Sequence, residues 1–283
     1  MNRDEIIEKV KNTVILASTT YSPDQKEAFQ RAIQNETTPN AKFTLENLLE
    51  NAKLAELNNN PLCDDTGIPH LFIEIGGKQM LSGEMIEAIH EGVAEGLREL
   101  PGRPMAVKGD DIQRIEQSLG LFEDPGAMIP APIVMKPMKE EGIKLSVLMQ
   151  GGGPEIRGRT YRVFHKRKIE NVLDEVIGWA KDDASLLGCT PCIPAIGIGR
   201  THYEANALML EAMIYGRFDQ QSELEKRVTN SLNEINVGPL GLRGDTTALA
   251  SFIKIGPQRA SGVRIVALRL NCTVEPRVAS VWL

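Results

Sequence analysis

The sequence predicts a mixed α/β fold, a single domain over residues 1–283 in which helices pack on short sheets. Three observations predict it. Segments with apolar residues at helical spacing alternate with short apolar runs bounded by Gly, Pro and Asn. No internal repeat and no low-complexity linker divides the chain. The composition, 42% hydrophobic and 25% charged, supports a core and a solvated surface together.

The elements follow in order. Ile6, Ile7, Val10 and Val14 share one face of a helix over 2–16. Leu45, Leu48, Leu49 and Ala52 do the same over 44–57, and Asn58–Asn60 with Pro61 stop that helix. The CDDTG turn, Cys63–Gly67, leads into a strand at Leu71–Ile75, and residues 83–99 return to a helical pattern. Ile133–Lys136 and Ile143–Met149 are strands, the second running into a turn at Gly151–Gly153. Residues 169–187 form a long helix closed by Gly188. After Cys189–Pro194, AIGIG is strand-like, and helices follow over 203–214 and 221–234. Val263–Cys272 closes the series as a strand, with Leu268, Leu270 and Cys272 on one face and Arg269 and Asn271 on the other.

The formal charge of −6 and pI near 5.4 speak against a nucleic-acid partner, which needs a basic face. No run of about 18 apolar residues suggests a membrane span. The N-terminal MNRDEIIEKVKNTVILAST lacks the apolar stretch of a secretory signal, so the expected location is the cytoplasm. In that reducing setting four cysteines are free thiols or metal ligands rather than disulfides.

Three of the four cysteines sit where elements end. Cys63 opens the CDDTG turn, Cys189 follows the helix-closing Gly188, and Cys272 closes a strand. A ligand so placed is rigidly held while its thiolate can face a cleft. The separations, 189 − 63 = 126 and 272 − 189 = 83 residues, are too wide for a zinc finger. Cys189 and Cys192 form one Cys-x-x-Cys pair, open to a redox role, to half a zinc site, or to two small buried side chains.

With their neighbours these cysteines carry a resemblance. ENAKLAELNNNPLCDDTG, QGGGPE, GWAKDDASLLGCTPCIPAIGIGRTHYEA, VGPLGLRGDTTALA and VRIVALRLNCTVEPR, in that order over residues 50–277, resemble the α-type region of class I fumarases and L-tartrate dehydratases. The resemblance implies a 4Fe–4S cluster held by three cysteines at the positions of Cys63, Cys189 and Cys272, on loops at element ends, with Cys192 a packing residue or a neighbour of the ligands. It implies an iron–sulfur hydro-lyase acting on a small dicarboxylic acid, fumarate/L-malate or L-tartrate.

That chemistry assigns roles. A cluster with three protein ligands leaves one iron open as a Lewis acid. Elimination also needs an acid and a base. Asp65 stands two residues from a cluster ligand, and the resemblance implies an acid–base role there, where an Asx-turn former is the other reading. Gly152 and Gly153 let a substrate carboxylate approach the backbone, although no Gly-Lys-Ser/Thr makes this a nucleotide loop. Arg103 falls where the resembled family has a carboxylate-binding arginine.

The chain also departs from the family pattern. Asp64, expected with Arg103, Gly152 and Gly153 among the substrate-binding residues, stands where Gln is usual and cannot donate to a carboxylate when ionised. Gln150 replaces a common Lys, and Arg200 and Arg243 replace glycines. These changes bear on the substrate more than on the cluster, and leave open a divergent, non-catalytic cluster-binding or regulatory protein; a zinc or thiol-redox protein is the remaining alternative. The chain stops 283 − 272 = 11 residues after Cys272, where single-chain relatives continue into a second domain that carries the base. The expected partner is therefore a β-type hydro-lyase subunit in a hetero-oligomer, with homodimerisation also open to the chain.

Overall fold

The computed structural model describes residues 1–283 and is mixed α/β. In chain order its elements are α1 (Arg3–Thr19), α2 (Pro23–Asn35), α3 (Pro39–Asn58), β1 (Ile68–Gly76), α4 (Gly83–Glu99), α5 (Asp111–Glu116), β2 (Val134–Met138), β3 (Ile143–Gln150), α6 (Gly152–Glu155), β4 (Arg159–Phe164), α7 (Ile169–Ala184), β5 (Ile193–Gly199), α8 (His202–Tyr215), α9 (Glu223–Asn233), β6 (Phe252–Ile255), β7 (Val263–Asn271) and β8 (Arg277–Trp282). No helix is long and apolar enough to cross a membrane. Side-chain caps from Asn2, Ser22, Ser82, Thr201 and Ser222 start α1, α2, α4, α8 and α9. Each such cap contributes about 1 kcal/mol.

Contacts divide the chain into two compact units. The first comprises Met1–Thr20, Ala52–Gly151 and Arg277–Leu283. Its sheet has the order β2-β1-β3-β8, with β1 parallel to β2 and the other pairs antiparallel. Helices α1 and α4 bury Ile7, Val10, Val14, Ile89 and Val93 against Leu71, Ile73, Leu145 and Val147 of the sheet. Full burial of one such aliphatic side chain is worth about 1.5–3 kcal/mol. A Cβ at Gly92 of α4 would meet Ile7 O and Val10 Cβ of α1, each at 2.7 Å, so the absence of a side chain there sets how closely the two helices cross.

The second unit comprises Tyr21–Asn51 and Gly152–Pro276. Its sheet has the order β4-β7-β5-β6, with only the β5–β6 pair parallel. Helices α7 and α9 cover one side through Val172, Val176, Val228 and Leu232, which meet Ile196, Leu268 and Leu270. Helix α2, which the sequence pattern did not reveal, joins Phe218 and Phe252 in a smaller cluster through Ala28.

Two local expectations change. Gly151–Gly153 is not only a turn, because Gly152 begins the single helical turn α6. Helix α7 ends at Ala184 rather than running to Gly188, whose φ of +80° turns the chain toward Cys189 instead.

Candidate functional site

The CDDTG turn belongs to the first unit. Asn60 N–H donates to Ala55 O at 2.9 Å, and Leu62 N–H donates to Ser18 O at 3.0 Å. These bonds bring the chain out of α3 and present Cys63 half-buried, Asp64 exposed and Asp65 partly exposed. Beneath them lies Arg277, 1% exposed, whose Nη1 donates to Asp65 O at 2.8 Å. Desolvation pushes the Cys63 thiol above its ordinary pKa; the charge of Arg277 acts in the opposite direction more weakly.

The loop that carries Arg103 is tied to the same turn, since Arg103 N–H donates to Thr66 Oγ1 at 2.7 Å. Arg103 Nη1 stands 3.7 Å from Asp64 Oδ2, with both side chains largely solvent-exposed. That pair adds little stability, but it places a guanidinium beside the turn. Four of the residues singled out from the sequence are thus neighbours: Cys63, Asp64, Asp65 and Arg103. Gln150 is 4% exposed at the end of β3, and its Nε2 has no hydrogen-bond partner.

The second unit holds the other two candidate ligands together. Thr273 N–H donates to Cys189 O at 2.9 Å, joining the loop after Gly188 to the loop after β7. Cys189 is exposed and Cys272 half-buried. Cys192 is different. Its backbone bonds to Thr247 and Leu249, its side chain lies within the apolar core, and burial pushes its thiol up to about 12. A thiol 0% exposed within an apolar core is out of reach of solvent and of a substrate thiol, which argues against the redox and zinc readings of Cys189 and Cys192. Gly152 and Gly153 are exposed, and Glu155 of the same helical turn pairs with Arg269.

The sequence pattern missed what lies under this corner. The polar face of β7 was legible as an alternation, but it is buried. Arg269 is 1% exposed, donates from Nε to Asn271 Oδ1 at 3.1 Å, and pairs with Glu275, also 1% exposed, at 3.4 Å. Arg269, Glu275 and Arg277 all flank Cys272 in the segment RLNCTVEPR; charges that dense beside a cysteine in an otherwise apolar strand were the available signal.

Arg200 is held by Glu204 on the surface, with Nη2–Oε1 at 2.6 Å, and Arg243 sits in a surface loop with φ of +65°. His202 is exposed at the start of α8.

No group of three His, Cys, Asp or Glu side chains is arranged to hold a single metal ion. An iron–sulfur cluster makes a different demand, one thiolate for each liganded iron. The donor set suits it chemically: three thiols lie outside the core at element ends, and the fourth is withdrawn into it.

Comparison with known proteins gives a consistent picture. The family model described as Fumarate hydratase (Fumerase) matches residues 7–281. A Methanocaldococcus jannaschii protein, provisionally named an L(+)-tartrate dehydratase subunit alpha, is 30% identical over 286 residues, covering 97% of this chain and 95% of its own length. The L(+)-tartrate dehydratase subunit alpha of Escherichia coli is 24% identical over 282 residues, 97% of this chain and 89% of its own. The Shigella boydii protein of the same name gives the same figures.

Proposed function

The chain belongs to the fumarate hydratase (Fumerase) family, and from that premise we propose that it is the α subunit of an iron–sulfur hydro-lyase acting on a four-carbon dicarboxylic acid. The relatives' names favour L(+)-tartrate and the family description favours fumarate or L-malate. Because the family model runs through both compact units, residues 1–283 are read as one α-type domain. The observation that carries the reading is the division among the cysteines: Cys63, Cys189 and Cys272 stand at element ends outside the core, while Cys192 is buried.

In this reading Cys63, Cys189 and Cys272 hold a 4Fe–4S cluster, which when bound supplies a Lewis acid for the leaving hydroxyl. The chain's own residues do the rest. Asp65 moves a proton at the hydroxyl oxygen, and Arg277 fixes the backbone from which it projects. Arg103 offers its fork to one substrate carboxylate, and Asp64 orients that fork rather than binding substrate as a donor. Gly152 and Gly153 admit the other carboxylate close to the backbone. The base at the adjacent carbon comes from a β-type subunit, in a hetero-oligomer within the reducing cytoplasm, where four free cysteines persist.

The test is a serine series read by iron and sulfide content and by visible absorbance after anaerobic reconstitution. Cys63→Ser, Cys189→Ser and Cys272→Ser lose the cluster, and Cys192→Ser keeps most of it. Iron loss from Cys192→Ser as complete as from Cys189→Ser overturns the ligand assignment. With a β-type chain added, the wild-type chain dehydrates L(+)-tartrate or L-malate, and alone it turns over neither. Full activity of the isolated chain removes the partner from the proposal.

A further inference from the structure

The far end of the second unit's sheet holds a cavity that the proposed reaction does not use. Cys189 precedes β5 and Cys272 follows β7, and the antiparallel register pairs Ile193 with Asn271 at that end. At the opposite end Ile198 pairs with Val266 and with Ile255, and β4 delivers Phe164 beside Val263. There a cavity of about 370 Å³ opens between the strand ends and the first turn of α7. That volume lies within the range of small-ligand sites.

Its floor is apolar, formed by Ile169, Val172, Ile198 and Ile255, and its rim carries Arg167, Lys168 and Arg264 with no carboxylate among the lining residues. Most other arginines of this chain sit against an acid, as Arg159 does with Asp183 and Arg227 with Asp174. Arg264 instead spends one Nη on carbonyl oxygens, the nearest being its neighbour Val263 O at 2.9 Å, and these leave its charge uncompensated. Three cations lining one cavity with no carboxylate in that lining, on a chain of net charge −6, is an arrangement that like-charge repulsion opposes and that an anion would relieve.

The turn that supplies two of these cations is tied down through His165. His165 Nδ1 accepts from Arg167 N–H at 2.9 Å, and its Nε2 meets Ser261 O at 2.7 Å. With Nδ1 accepting, Nε2 is the donor, so the ring works as a bracket between the β4–α7 turn and the loop before β7. Its own carbonyl accepts from Lys168 N–H at 2.8 Å. Lys168 is the N-cap of α7 and makes no side-chain capping bond. The first-turn N–H groups of this helix add to the positive field at the rim, and Glu170 of the same turn is not among the lining residues.

The geometry points to a binding site for a small organic anion, its carboxylate or phosphate head held by Arg167, Lys168, Arg264 and the start of α7, and its apolar body of a few carbons lying on the four aliphatic side chains.

The test is calorimetric titration of the full-length chain with hexanoate, hexyl phosphate, hexanol and inorganic phosphate. At least one of the two organic anions binds with a saturable 1:1 signal, and the tighter of the two identifies the head group. Hexanol and inorganic phosphate bind at least about tenfold more weakly than that anion, since each lacks half of what the cavity offers. Arg167→Gln combined with Arg264→Gln lowers the affinity roughly tenfold or more, and Lys168→Gln, on an exposed side chain whose loss does not threaten folding, lowers it by a smaller factor. Arg227→Gln, elsewhere on the same unit, leaves it unchanged. Failure of both organic anions to bind at millimolar concentration overturns the proposal. So does equal affinity in Lys168→Gln and Arg227→Gln, or inorganic phosphate matching hexyl phosphate.

Discussion

At the CDDTG turn of the first unit a buried arginine reaches up to a backbone carbonyl, Arg277 to Asp65 O; at the Cys189–Cys272 corner of the second, a buried arginine lies among carboxylates, Arg269 with Glu275 and Glu155. Both place a guanidinium 1% exposed next to cysteine-bearing loops. They do different work. Arg277 fixes the path of a turn whose side chains remain in reach of solvent, so it acts on where Cys63 and Asp65 point. Arg269 joins one buried acid, Glu275, to one exposed acid, Glu155, so it acts on whether the corner stays folded. Damage to the first region should appear mainly in turnover, and damage to the second mainly in stability.

The largest expected contrast lies inside the second region. Cys189 and Cys192 are three residues apart, yet one is exposed and the other is buried with its thiol pushed up to about 12. At pH 8, well below that raised value, Cys192 stays a thiol. Because the shift is upward, reactivity is absent through the neutral range and appears only as pH approaches the raised value. Iodoacetamide on the cluster-free chain at pH 8, mapped by peptide mass spectrometry, should label Cys189 and spare Cys192. Equal labelling would mean that the core around Cys192 opens.

Next in size is Asp65→Asn. The amide keeps the shape of the turn and removes the proposed proton-transfer group, so turnover with the β-type chain should fall about 10²–10⁴-fold while iron content stays at the wild-type level. Near-normal turnover returns Asp65 to a turn-forming role. Arg269→Met tests the other region: it removes the buried guanidinium that faces Glu275, and removal of one partner from a buried pair typically costs about 3–5 kcal/mol. Urea unfolding of the cluster-free chain measures this. A loss under about 1 kcal/mol would show that Glu275 is satisfied without the arginine.

Much of this was legible before any coordinates. Helix α4 falls at 83–99 as its apolar spacing requires, and β1, β3, β5 and β7 fall on the apolar runs. A buried face repeats visibly along the chain. Strands β4, β6 and β8 were silent because they lie at sheet edges or mix charges and aromatics, as in RTYRVF, and their place is set by pairing with distant partners. The CDDTG turn and the cysteines at element ends were readable from local chemistry. Arg277 was not, since nothing in a linear sequence says that it donates to a residue 212 positions earlier. For the same reason the exposed-looking polar face of β7 proved to be an interior ion network.

The smallest effect comes from glycines. Gly67 closes the CDDTG turn with φ of +85°, and a Cβ there would meet Arg277 Nη2 at 2.6 Å and Gln150 O at 2.8 Å. Gly67→Ala therefore suffers twice: it strains a left-handed backbone and it displaces the guanidinium that bonds Asp65 O. Such strain costs on the order of 1–3 kcal/mol. Gly153, in the second unit, has no atom within 4 Å of where its Cβ would stand, and Gly153→Ala should change stability by less than about 0.5 kcal/mol. Unfolding midpoints of the two variants compare the regions directly. If the turn is positioned as described, Gly67→Ala also lowers turnover beyond its effect on stability, because Arg277 no longer fixes the backbone of Asp65. A Gly67→Ala midpoint and turnover both equal to those of the wild type would mean that the turn is pliable, and that Arg277 supports the fold without aiming the site.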